Sequence, residues 1–129
     1  MQLRYGLLAD FANVTQEGKL NILGVFDHLY AMTFPAVQRQ LYLVNSLESD
    51  VADEERAREI RIQMINEDGE VLHELNAQLS FGKGKQVINQ IHVFQDLRFD
   101  KPGPYQFNIF FGDHIVKALD LELHHVVPA

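Results

Sequence analysis

Asp10 is the side chain in this sequence with the most chemical promise. If Thr15-Gln16-Glu17-Gly18-Lys19 closes a hairpin with Val14 opposite Leu20, Asp10 falls opposite Gly24 on an apolar face. The missing side chain of Gly24 would leave room there for a carboxylate and an associated water. A carboxylate so placed must be paired or hydrogen-bonded, or its pKa rises. It is read as a structural group that pins neighbouring amides, with a polar pocket as the functional alternative. Six histidines, His28, His73, His92, His114, His124 and His125, raise transition-metal chemistry. No two of them sit at i, i+2 on one strand face, however, and no His-Glu-x-x-His helix is present. His73 is expected on an apolar face as a hydrogen-bonded core residue, and His124 and His125 on opposite faces of one strand. Asp27, Asp50, Asp53, Asp96, Asp100 and Asp113 lie near turns, where hard oxygen ligands can hold calcium, but they lack Asp-x-Asp-x-Asp spacing and the turns alternate between two ends. Ser46, Ser49, Ser80, Thr15 and Thr33 have no Gly-x-Ser-x-Gly elbow and no evident base. Gly82-Lys83-Gly84-Lys85-Gln86 does not open a helix as a phosphate cradle requires, and is read as a mobile hairpin connection. No catalytic set, metal or cofactor is therefore expected; Asp10, Gly24, His73 and Tyr105 are the residues of interest.

The elements that must position these side chains are strands. Between recurring turn signals, nearly every segment is rich in β-branched, aromatic and leucine residues at a period near two. Eight strands are expected: Leu3–Val14, Leu20–Met32, Gln40–Leu47, Glu59–Ile65, Glu70–Ser80, Val87–Leu97, Tyr105–Phe111 and Ile115–His124. The first hairpin is apolar on both faces near its middle, which predicts a position covered on two sides. Asn66-Glu67-Asp68-Gly69 is expected to turn the chain so that Met64 meets Val71 and Ile60 meets Leu75, leaving Arg61, Gln63, Leu72, Glu74 and Asn76 on a solvated face. Gly112-Asp113-His114 would align Phe107 with Leu119 and Tyr105 with Leu121. The stretch 49–59 lacks strand periodicity and is read as an exposed loop, or a single helical turn starting near Asp50, crossing between two sheets.

Composition narrows the partners. The chain has 129 residues, 11 Lys plus Arg against 18 Asp plus Glu, and a net charge of −7, which disfavours phosphate backbones and anionic bilayers. Having no cysteine, it has no disulfide, thiol nucleophile, Cys-ligated zinc or iron–sulfur cluster. The N-terminal residues do not read as a signal peptide, and no apolar run approaches the roughly 20 residues needed to span a bilayer, so a cytoplasmic protein is expected. With 47% hydrophobic residues and no linker or repeat, residues 1–129 form one antiparallel β-sandwich domain, immunoglobulin-like or C2-like.

Two stretches carry a resemblance. Leu8-Ala9-Asp10-Phe11-Ala12-Asn13-Val14 with Glu17-Gly18-Lys19-Leu20-Asn21-Ile22-Leu23-Gly24-Val25-Phe26-Asp27, and Pro102-Gly103-Pro104-Tyr105-Gln106-Phe107-Asn108-Ile109, resemble a family of short bacterial proteins catalogued as a domain of unknown function. The resemblance implies a β-sandwich over nearly the whole chain, with 49–59 as an elaboration, and brings no catalytic residues. Read physically, the Pro-Gly corner before Tyr105 is similar to a tyrosine corner, in which the hydroxyl bonds back across the turn and the ring is core.

With no chemistry assembled, the expected function is a non-catalytic module that binds a protein partner or a second copy of itself. Tyr30, Met32, Phe34, Tyr42, Phe94, Phe99 and Phe110 exceed what one core layer needs, and surplus aromatics can form an interface. The alternative is a small-ligand-binding or enzymatic sandwich with a polar pocket near Asp10. Calcium-assisted membrane attachment is a third reading.

Overall fold

The computed structural model describes residues 1–128. Two sheets face each other across one apolar core. The strands are β1 (Gln2–Val14), β2 (Leu20–Val25), β3 (His28–Ala31), β4 (Ala36–Glu48), β5 (Ala57–Ile65), β6 (Val71–Ser80), β7 (Val87–Phe99), β8 (Gly103–Phe111) and β9 (His114–His125). One sheet has the order β2-β1-β4-β7 and the other β3-β9-β8-β5-β6. The expected all-β sandwich is the fold observed.

Alternation builds the core. Leu41, Leu43 and Leu47 of β4 turn inward to meet Ile60, Ile62 and Met64 of β5 and Phe107 and Ile109 of β8, all of them fully buried. On β7 the alternation changes phase at Asp96, whose φ of 54° lets Phe94 and Leu97, three residues apart, both enter the core. Phe99 follows them and meets Tyr105 edge-on at 4.8 Å. Of the seven surplus apolar side chains, Phe94, Phe99 and Phe110 are buried, Phe34 and Tyr42 half-buried, and Tyr30 and Met32 exposed.

The expected strand Leu20–Met32 is two strands in different sheets. After Val25 the chain leaves the first sheet, and the Asp27 carbonyl accepts the Glu122 amide at 2.9 Å, which starts a parallel pairing of β3 with β9. The first hairpin keeps the expected register, Val14 with Leu20 and Ala12 with Ile22. It is not covered on two sides, because β2 is an edge strand and its outer side chains meet solvent. The β5–β6 register differs by a bulge between Met64 and Ile65, which places His73 opposite Met64 and Leu75 opposite Ile62. The β8–β9 hairpin pairs Phe107 with Leu119 and Tyr105 with Leu121, as expected.

The acidic crossover forms a 3₁₀ turn over Val51–Asp53, capped by Asp50. It is not simply solvated, because Asp53 is buried and accepts from Arg58 Nε at 2.7 Å, from the Asp50 amide at 2.9 Å and from the Met1 ammonium. Nor is 82–86 a free hairpin loop: it joins strands of different sheets, and the Gln86 amide donates to Ser49 Oγ at 2.8 Å while the Gly84 amide donates to Glu54.

Candidate functional site

Asp10 lies against Gly24, as its register requires, since a Cβ on that glycine would collide with the carboxylate. It is nevertheless exposed, not held on an apolar face, because Gly24 has no side chain to close over it, and it lines none of the described cavities. His73 is exposed as well. The shifted register leaves it on the open edge strand β6, with no hydrogen bond among the described residues, so it is not a core histidine. Tyr105 is buried and donates its hydroxyl to the Lys101 carbonyl at 2.7 Å across the Pro-Gly corner, as the motif predicts. Burial raises its phenol above the ordinary value.

What the fold does bring together is His28 and His124, which are 96 residues apart in the chain. The parallel pairing of β3 with β9 stacks their rings, with His28 Nδ1 2.7 Å from His124 Nε2, and the Tyr30 ring also stacks on His124 at 5.0 Å. Such a bond requires one ring nitrogen to donate and the other to accept. The pair borders a cleft of about 650 Å³ lined also by Asp27, Glu67, Asp120 and Glu122. Among the described residues, no three His, Asp or Glu side chains stand in a geometry that could hold a metal ion. The signal that would have revealed this pair is long-range strand order, which local periodicity does not carry.

The larger feature is the outer face of the β2-β1-β4-β7 sheet. Its cross-strand rows follow from the register: Leu23 beside Phe11; Val25, Ala9, Tyr42 and Val93; Leu7, Val44 and Ile91; Tyr5, Ser46 and Asn89. None of these positions is charged. Phe11 and Tyr42 pack with ring centroids 5.4 Å apart, and Ala9 and Val44 on the same face are fully buried. Leu23 and Val25 remain 62% and 61% exposed, Val93 45% and Phe11 42%. Arg4 caps one end, donating to Ser46 Oγ at 3.2 Å. An uncovered patch of this kind is what protein–protein contacts use. The inner face of the same sheet is occupied by the core, so this outer face plays no part in holding the two sheets together.

The molecule is thus a two-layer β-sandwich with one uncovered sheet face whose middle carries no charge. None of its described helices is long and apolar enough to cross a membrane. Residues 4–124 match the model of a family of unknown function, DUF6941, and the chain belongs to that family. No curated protein matches the chain.

Proposed function

We propose that this chain is a non-catalytic protein-interaction module whose binding surface is the outer face of the β2-β1-β4-β7 sheet. The observation that carries the reading is the exposure of Leu23, Val25, Phe11 and Val93 in one uncharged patch on a molecule of net charge −7. Apolar side chains left in water gain when a partner covers them, by about 25 cal/mol per Å² of apolar area removed from solvent. The complementary surface is that of another protein with an apolar centre. The acidic balance of the chain argues against nucleic acid and anionic lipid as partners.

The test is a photo-crosslinking amino acid at Leu23 in the full chain, compared with the same group at exposed Asn76 on the other sheet. Discrete adducts from position 23 that vanish on Val25→Asp are the expected result. Adducts of equal yield from both positions, or none from position 23, overturn the reading.

A second reading, small-ligand binding, draws on the cleft beside His28 and His124 and not on Asp10. There an imidazole pair and four carboxylates face a volume large enough for a small molecule. Ring resonances of both histidines that stay unmoved through a screen of small cationic ligands would remove it.

A further inference from the structure

The four strands at the sheet edges are not alike. β3 has only four residues, β6 carries Glu74 and follows Glu70, and β2 is interrupted by Gly24 with φ 69°. These are the ordinary devices that keep an edge from pairing with another chain: shortness, charge and backbone irregularity. β7 is different. It has 13 residues, pairs along its length with β4 on one side only, and from Gln86 to Gln95 contains no Asp, Glu, Lys, Arg, Pro or Gly. Its blunting features begin only at Asp96, with its positive φ, followed by Arg98 and Asp100.

We infer that two copies of this chain pair antiparallel along the Val87–Gln95 edge, joining their four-stranded sheets into one. The inference goes beyond the interaction reading and does not depend on it, because the contact is made by the backbone groups of the edge, although Ile91 and Val93 also lie on the outer face. Two observations make a second copy the occupant. The first is charge: molecules of net charge −7 repel each other, and along this strip neither copy presents a charge to the other. Burial holds His92 below its ordinary pKa, so it too is neutral at pH 7. The second is symmetry: the uncharged stretch Val87–Gln95 is centred on Ile91, so a two-fold axis there brings no charge opposite another. A two-fold axis through Ile91 sets Val87 against Gln95, Asn89 against Val93 and Ile91 against its own copy on one face, and Ile88 against Phe94 on the other. That is the isologous contact a closed dimer requires. The strip spans roughly 30 Å at about 3.4 Å per residue, and the dimer lays two apolar outer faces side by side.

The absence of cysteine makes the test direct. Ile91→Cys introduces a single thiol, and residues directly opposite in an antiparallel pair have Cα atoms about 4.5–5.5 Å apart, within disulfide range. Oxidation by diamide is expected to give a covalent dimer from Ile91→Cys and none from Leu23→Cys on the opposite edge. Ile91→Lys and Ile91→Glu should each sediment as monomers at roughly 100 µM, where a weak specific contact is populated, and mixing them should restore twice the mass. Circular dichroism checks that both remain folded, and the cysteine experiment decides if either does not. A wild-type chain that stays monomeric at that concentration overturns the inference. So does linkage through Leu23→Cys without linkage through Ile91→Cys, which would instead mark face-to-face contact. Adducts from the photo-crosslinker at position 23 report on the face separately, so either idea can fail alone.

Discussion

At the scale of the residue, two polar side chains placed in the interior are Asp53 and Asn45; spacing marks Asp53 only as one of the turn aspartates and does not mark Asn45. Asp53 sits in a charge run that looks solvated. Burial alone would push its carboxyl up, but hydrogen bonds from the terminal ammonium, the Asp50 amide and Arg58 bring it well below the ordinary carboxylate range. A group whose folded pKa is depressed contributes stability above its unfolded pKa, near 3.9, and loses it as pH falls. Asp53→Asn should therefore cost about 1–3 kcal/mol at pH 7 by denaturant unfolding. The gap from wild type should begin to narrow as pH falls below about 4 and should close only as pH approaches the depressed folded value, and a gap that does not narrow over that range would contradict the assignment. Asn45 is fully buried beside Gly6, and neither its Oδ1 nor its Nδ2 finds a partner among the described residues. Replacing an unpaired buried amide by an apolar group of similar shape removes a desolvation cost, so Asn45→Leu should raise stability by about 1 kcal/mol or more. By contrast, the Tyr105 hydrogen bond was legible, because the Pro-Gly corner and the aromatic after it act through a few neighbouring residues.

At the scale of the element, the registers of two hairpins were legible, while the bulge in β5–β6 and sheet membership were not. The registers of β1–β2 and β8–β9 follow from turn chemistry and the period of two, which are local. The division of Leu20–Met32 between two sheets depends on which distant strand captures each half. Nothing in its alternation marks the break except Gly24 and Asp27. That break also creates the parallel β3–β9 edge, and with it the contact of His28 with His124, so the histidine pair was illegible for the same reason. Alternation does not predict the exposure of Asp10, because pairing fixes a side chain's face but not how far the facing sheet extends over it. Gly24 itself can be tested. Its φ of 69° is costly for a residue with a Cβ, so Gly24→Ala should destabilise by about 1–2 kcal/mol. Asp10→Ala in that background should recover only the part due to collision with the carboxylate. Full recovery in the double variant would mean that the backbone conformation carries no cost.

At the scale of the whole molecule, the question is why a chain with a net charge of −7 leaves the middle of one sheet face apolar and uncharged, with Arg4 and Glu48 only at its end. A fold that needed those side chains would bury them, as it buries Leu41 and Leu43 on the inner face of the same sheet. Leu23 and Val25 are instead more than half exposed on an edge strand, so their removal forfeits little packing. Stability and association should therefore separate. The double variant Leu23→Ser, Val25→Ser is expected to unfold within about 0.5 kcal/mol of wild type, as surface substitutions generally do. Binding of a hydrophobic dye to the purified chain should fall at the same time, and so should adduct formation from a photo-crosslinker at Phe11. If the variant instead lost several kcal/mol, the face would belong to the folding core and the interaction reading would lose its basis. If it kept both stability and adducts, contact would run through Tyr5, Tyr42 and Val93 at the other side of the same face, and Val93→Ser would then be the substitution that removes it.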